Sequence, residues 1–437
     1  MKNTVLTLRE RLFSIIRRLG KEPERYARKP GRDFTRKRTL TPEVLIQLIV
    51  TMNEKSIWKG LLRHFRRRLD TPSASAFVQQ RQKLLPSALE DLFRKFTDQL
   101  RPQKKFRGYR LLAVDGSSLK SGAHPADKDA YRPGTERQHG WNLFHINALF
   151  DIENGIYTDL IVQKEHTKNE SKALREMAKR SSITDPVIVL ADRNYEAYNN
   201  FVCLEKTGWK YLIRIKDCNR KNAYGVKLPD TPEFDLPVRM TLGRLTPQQL
   251  RQHGLPVPEH YYRIPNSVPF DYLDAESTDF YEFSARIVRL QLKDGRTQML
   301  ITNLDAAQFP LSGIQALYAR RWGIETSFRE LKYTVGLIHL HSRKSDLVLQ
   351  EIFAAFTVFN FTQAVTWSAN EDCGRSKYKR RVNFAHAVYL CCEVLRGKSA
   401  EITALLERTL TPCRPDRVYP RPKIADNRLS AMYVSAR

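Results

Sequence analysis

Within YARRWGIETSFRELK, residues 318–332, four side chains of chemically useful type recur at helical spacing: Tyr318, Arg321, Glu325 and Lys332. On a regular helix the last three fall at about −60°, −20° and −40° from Tyr318, so all four share one narrow stripe. Leu317, Phe328 and Val335 lie about 80–100° to one side, with Ile324 and Leu331 beyond them, which lets that flank be buried. Glu330 points about 140° away from Glu325, so phase selects Glu325 as the acid of the stripe. A carboxylate flanked by a phenol, a guanidinium and an ammonium suits a phosphodiester, with oxygens for a hard cation and donors for phosphate oxygens. A solvated face tied by an Arg321–Glu325 pair has the same pattern.

Two further carboxylates stand where a rigid element can hold them. Asp115 follows LLAV and Asp192 follows VIVLA, so each is expected at the end of an apolar strand, at the edge of a crevice. The plainer readings are a hairpin turn at Asp115-Gly116 and a helix cap at Asp192. Three hard oxygen ligands suit Mg²⁺, with Mn²⁺ able to substitute. Two such ions about 4 Å apart can activate water or a 3′-OH and stabilise the leaving oxygen.

The elements that must carry these residues can be read from periodicity. Residues 1–105 read as helical: an amphipathic segment to Leu19, a basic linker from Arg28 to Arg38, then helices near 42–53, 56–68, 73–84 and 87–100. Thr41-Pro42, Ser73 and Ser87 mark helix starts. SASAFVQQRQKL would present Gln79, Gln80, Arg81 and Lys83, following a helix that ends HFRRRL. That is compatible with a helix-turn-helix reading DNA, the plainer reading being the polar face of a helical bundle. From Tyr109 the order becomes strand, a hairpin around Asp151–Asn154, helix, strand, helix, strand: a mixed sheet with crossover helices. Residues 217–300 read as a β-rich insertion. Helices are expected again near 312–335, 346–367 and 382–407, with a poorly ordered basic tail from Cys413.

Composition bounds the partners. Of a net charge of +27, +18 lies in residues 1–110, which hold 28 Lys and Arg against 10 Asp and Glu. Such an excess suits a polyanion, though a basic surface alone does not read sequence. Six cysteines without a CxxC pair point to reduced thiols rather than a zinc site. The N-terminus is interrupted by arginines and lacks a signal-peptide core, and the apolar span Leu347–Val365 contains Gln350, Glu351 and Asn360, so a core helix is expected there and no membrane partner.

Tyr318-x2-Arg321-x3-Glu325-x6-Lys332 matches without a gap the Y-R-E-K signature of bacterial insertion-sequence transposases of the DDE type, in the insertion-sequence-four group. The chain resembles that family over roughly residues 105–370. The resemblance implies an α/β, ribonuclease-H-like mixed-sheet catalytic domain (106–216 and 301–370) with a β-rich insertion (217–300). A helical DNA-binding domain (1–105) and a helical C-terminal region with a basic tail (371–437) flank it. It further implies that Asp115, Asp192 and Glu325 bind two Mg²⁺ ions while Tyr318, Arg321 and Lys332 grip the phosphates of a transposon end. Arg329 and Trp322, at about +20° and +40°, are further DNA-binding candidates by phase, with a surface arginine and an interface or core aromatic as the plainer reading. His145, His339 and His341 read as structural or DNA-facing. The expected activity is cut-and-paste transposition by a cytoplasmic, nucleoid-associated protein acting on double-stranded DNA as a homodimer. The competing readings are a silent DNA-binding derivative, a nuclease or resolvase on the same scaffold, and a recombinase using Tyr318 as nucleophile.

Overall fold

The structure, a computed structural model, describes residues 2–36, 38–52, 56–135, 139–216, 226, 228–292, 294–371, 380–398 and 402–412. The basic tail from Cys413, and part of the 217–300 segment, lie outside the described residues. The first hundred residues form helices α1 (Lys2–Gly20), α2 (Pro23–Tyr26), α3 (Pro42–Thr51), α4 (Ile57–His64), α5 (Ala74–Arg81) and α6 (Ser87–Gln99). Thr41 and Ser73 cap α3 and α5 through their side chains, each accepting an otherwise orphaned N–H. Ser87 begins α6 rather than capping it; Pro86 holds the cap position without a side-chain bond.

A ten-stranded mixed sheet follows: β1 (Arg110–Gly122), β2 (Tyr131–Arg132), β3 (Trp141–Asp151), β4 (Ile156–Lys164), β5 (Val187–Ala191), β6 (Lys210–Ile215), β7 (Phe234–Gly243), β8 (Tyr261–Arg263), β9 (Tyr281–Gln291) and β10 (Thr297–Thr302). Its order is β2-β3-β1-β5-β6-β10-β9-β7-β8, with β4 also on β3. The β1, β5 and β6 strands pair in parallel, which requires crossovers, supplied by α7 (Glu170–Lys179) and α8 (Tyr198–Lys206). Every residue of β5 is buried, as expected for a parallel strand covered on both faces. The strands of residues 234–291 extend this same sheet through β9 and β10 rather than forming a separate one. A short helix, α9 (Pro247–Gln252), lies among them.

The glutamate region is not one straight helix. It divides into α10 (Leu311–Ala319), α11 (Trp322–Arg329) and a π-helical turn at Glu330–Thr334. Between α10 and α11 the backbone bonds run from residue i to i−3, as in Arg321 to Tyr318 and Ile324 to Arg321, so the chain is overwound there and underwound in the π turn. Two opposite departures from 3.6 residues per turn account for the difference from the uninterrupted helix expected over 312–335.

The long α12 (Ser345–Glu371), α13 (Phe384–Leu395) and α14 (Ile402–Arg408) close the fold. They share one apolar core with α1–α6, through Leu12, Phe93, Phe96, Phe356, Phe361 and Cys391. The Ser345–Trp367 span is long and apolar enough to cross a membrane, but 78% of its most apolar window is buried inside the protein, so it serves as the central core helix. Cys203, Cys391 and Cys392 are buried and in no disulfide among the described residues.

Candidate active site

The two aspartates stand on adjacent parallel strands. The parallel register ends at Ala113 opposite Leu190, and Asp115 and Asp192 each lie two residues further on. β1 does not stop there, contrary to the expectation of a strand end or a turn at Asp115-Gly116. It runs on to Gly122, held by β3, whose antiparallel pairing with β1 extends from Leu112 to Gly122. Asp115 therefore sits at the point where its parallel neighbour leaves and a crevice opens. Asp192 is both a crevice residue and a cap, since its Oδ1 accepts the N–H of Asn194 at 2.9 Å.

The three segments of the Y-R-E-K stretch converge on these strands. The Tyr318 hydroxyl donates to the carbonyl of Ala191 at 3.2 Å, next to Asp192, and its ring is buried. Arg321 donates to Glu325 Oε1 at 2.8 Å, and its other terminal nitrogen stands 3.8 Å from Asp115 Oδ2. Lys332 donates to the carbonyl of Ser118 at 2.8 Å, three residues along β1 from Asp115. The spacing read as a stripe thus links the helix to both aspartate strands. As placed, Tyr318 holds protein backbone rather than facing outward.

Burial drives the electrostatics. Burial pushes the Asp115 carboxyl up to about 6, against the Gly116 N–H and Arg321, and Asp192 and Glu325 add repulsion of like sign. Burial opposes the charge on Arg321, but Tyr318, Glu325 and Asp115 outweigh it and leave the guanidinium firmly protonated. Burial lowers Lys332. Acidic repulsion relieved by one arginine is the signature of a site with too little positive charge.

Sequence reading missed a second layer around Asp115. His145 Nε2 stands 2.8 Å from Glu170 Oε1, and its Nδ1 is 3.5 Å from Ser118 Oγ. The hydrogen bond with His145 holds Glu170 below the usual carboxylate range, against its burial, and Asn194 contributes a further hydrogen bond. Glu170 thereby joins β3 to the segment carrying Asp192. Gly116 is required beneath this pair: a Cβ there would meet His145 Nε2 at 2.4 Å and Glu170 Oε1 at 2.7 Å. Asp115-Gly116 was the only local signal, since Glu170 reads in sequence as an ordinary first-turn helix acid. His341 is structural, paired with Glu351.

Outlying candidates divide. Trp322 is 60% exposed, with the Arg321 guanidinium 5.2 Å from its ring, which sets aside the core alternative and leaves a DNA-facing or interface aromatic. Arg329 is exposed on the same helix. Gln79, Gln80 and Lys83 line a cleft with the Arg28–Arg38 segment. Arg81 does not face DNA. It is 1% exposed and bonds Gln350, Glu351 and the Leu347 carbonyl of α12, because its position in α5 points it into the bundle next to Phe77.

Three carboxylate side chains are a hard-oxygen donor set, and the raised Asp115 marks where a cation would be favoured, so the residues fit Mg²⁺ in kind. Among the described residues no three His, Cys, Asp or Glu are gathered closely enough to hold an ion as they stand. The positive charge between Asp115 and Glu325 is instead that of Arg321.

A mixed sheet carrying carboxylates where its parallel pairing ends, faced by a helical glutamate, has the ribonuclease-H-like form of a transposase catalytic fold. The chain belongs to the transposase DDE domain family, which it matches over residues 106–361. It is similar to the transposase InsG for insertion sequence element IS4 of Escherichia coli (strain K12), 24% identical over 413 residues, 88% of this chain and 86% of that protein. These agree with the resemblance carried by Tyr318, Arg321, Glu325 and Lys332. Among solved structures it is similar to the piggyBac transposase synaptic complex with hairpin DNA, at a TM-score of 0.46 and 10% identity, over 92% of this chain and 84% of that one.

Proposed function

We propose that this DNA transposase binds the ends of an insertion sequence, cleaves them by metal-dependent hydrolysis and joins the freed 3′-OH ends to target DNA, in cut-and-paste transposition. The observation that supports this best is that Asp115 and Asp192 lie side by side just past the end of one parallel register, with Arg321 reaching from Glu325 towards Asp115 and Tyr318 bonding the carbonyl before Asp192. Asp115, Asp192 and Glu325 would hold two divalent ions, Mg²⁺ or Mn²⁺. When bound, these supply an activated water or 3′-OH and neutralise charge at the leaving oxygen. Arg321 and Lys332 bring positive charge to the crevice edge, suited to non-bridging phosphate oxygens. Tyr318 fixes the Asp192 strand against α10, and Glu170 with His145 packs against the Asp115-Gly116 stretch of β1, so position rather than covalent capture carries the reaction. The basic N-terminal quarter would hold the duplex, and two copies would pair the two ends.

Joining distinguishes this reading from a resolvase or simple nuclease. Incubation with paired terminal inverted repeats, a target plasmid and Mg²⁺ is expected to give target joined to the transposon 3′ end, and none with Asp192→Ala. Nicked ends without joined product would favour the nuclease. A phosphotyrosyl DNA adduct would favour Tyr318 as nucleophile. Binding of the ends by the wild-type protein with neither nicked nor joined product would leave a DNA-binding derivative, and joining undiminished in Asp192→Ala would remove Asp192 from the chemistry.

A further inference from the structure

Behind Asp115 and Asp192 several elements meet on one carboxylate. Asn169 caps α7 by accepting the N–H of Lys172, and its own N–H donates to Gln163 Oε1 at 2.8 Å. The same Gln163 oxygen accepts a bond from Asn147 Nδ2 at 3.1 Å, and Asn147 lies directly opposite Gly116 in the β1–β3 register. These bonds pin the first residue of α7, Glu170, beneath the strand that carries Asp115. There its Oε1 stands 2.8 Å from His145 Nε2 on β3, and its carboxylate accepts a hydrogen bond from Asn194. The Asn194 N–H donates in turn to Asp192 Oδ1 at 2.9 Å. One side chain therefore spans the distance from the Asp115 strand pair to the Asp192 turn.

Tyr195, the next residue in the chain after Asn194, is fully buried, in the apolar cluster that contains Leu112, Val114 and Leu174. Its hydroxyl makes no hydrogen bond among the described residues. The turn that carries it packs against α7, and of the charges acting on the hydroxyl that of Glu170 is the largest, ahead of Asp115 and Asp192. A phenylalanine would fill the same core position without burying an unpaired donor, so folding by itself does not account for the hydroxyl. The helix N-terminus favours negative charge on Glu170. An ionised acceptor and an unpaired donor thus share one buried place directly behind the two aspartates.

We infer that Glu170 and Tyr195 are positioning residues of the reaction: Glu170, through His145 and Asn194, sets the separation of Asp115 and Asp192, and the Tyr195 hydroxyl becomes its further donor as the aspartates draw together on divalent ions. This rests on the proposed reading of Asp115, Asp192 and Glu325 as the carboxylates that hold those ions. With its carboxylate engaged by His145 and Asn194, Glu170 acts through its neighbours and not as a further ligand. Removing a group that holds ligands in place typically weakens metal binding about 10–100-fold, without any contact to the ion itself.

The test is thermal melting of the EDTA-treated full chain over a Mn²⁺ series, read as the concentration that gives half of the full rise in melting temperature. Glu170→Gln keeps the shape of the side chain and removes its charge, and the midpoint is expected to move up about tenfold or more. Tyr195→Phe breaks no hydrogen bond of the free protein, so it should melt no lower than wild type in EDTA and yet move the midpoint in the same direction. Asn194→Ala should move it too, and add nothing in the Glu170→Gln background. Duplex affinity in EDTA, read by fluorescence anisotropy, should stay at the wild-type value in all three variants. An unmoved midpoint in Glu170→Gln or Tyr195→Phe would overturn the inference, as would full additivity with Asn194→Ala or a matching loss of duplex affinity. The carboxylate reading is judged separately: it fails if wild-type protein shows no rise with Mn²⁺, or if Asp192→Ala keeps the rise in full. A rise that is present in wild type, lost in Asp192→Ala and unmoved in Glu170→Gln overturns only the positioning role.

Discussion

Arg321 stands between Asp115 and Glu325, 2.8 Å from Glu325 Oε1 and 3.8 Å from Asp115 Oδ2, so one guanidinium neutralises two of the three crevice carboxylates. A divalent cation bound there would compete with it for the same oxygens. In Arg321→Gln, with that competitor gone, the rise in melting temperature on adding Mg²⁺ to EDTA-treated protein is expected to exceed the wild-type rise. Equal rises in the two proteins would mean that guanidinium and metal do not share ligands.

Asp115 gives a pH dependence with a defined sign. Its folded pKa of about 6 lies above the ordinary carboxylate value, so the protonated form is the one burial favours, and stability is lost as pH rises through about 6. In EDTA, Asp115→Asn should therefore be more stable than wild type by roughly 2–3 kcal/mol at pH 8, with the gain shrinking to nothing near pH 4. Urea denaturation across that range checks it; a gain that does not change with pH would contradict it.

Gly116 should be sensitive out of proportion to its size. Gly116→Ala drives a methyl into His145 and Glu170, and destabilisation of about 1–3 kcal/mol is expected. Adding His145→Ala should recover part of that loss, because the two side chains contest one space. Additive losses in the double variant would place the strain elsewhere.

Arg81 was indistinguishable in sequence from its neighbours Gln79, Gln80 and Lys83, yet it is the buried anchor of α5 on α12. Arg81→Met leaves the buried Glu351 with only His341 beside it and removes the bonds to Gln350 and the Leu347 carbonyl, and should cost about 3–5 kcal/mol. The salt slope of DNA binding should stay unchanged in whatever folded fraction remains. A lowered slope with stability intact would restore Arg81 as a phosphate contact.

What sequence could and could not reveal divides along physical lines. Tyr318, Arg321, Glu325 and Lys332 were visible because helical phase is local, and VIVLA before Asp192 was visible because a parallel strand is apolar on both faces. The continuation of β1 past Asp115 was not, because it depends on β3 pairing across the chain. Arg81 was misread for the same reason: its environment is set by a helix 266 to 270 residues away. Glu170 gave no signal at all, since only the fold brings it beneath Gly116.

The carboxylate site is tested most directly by nicking of a duplex carrying the terminal inverted repeat, with Mn²⁺ or Mg²⁺, by wild-type protein and by Glu325→Gln under identical loading. Glu325→Gln keeps the size of the side chain and a hydrogen-bonding oxygen but removes the charge, so nicking is expected to fall by about a hundredfold or more while duplex binding persists. Equal nicking by the two proteins would remove Glu325 from the chemistry and contradict the three-carboxylate site.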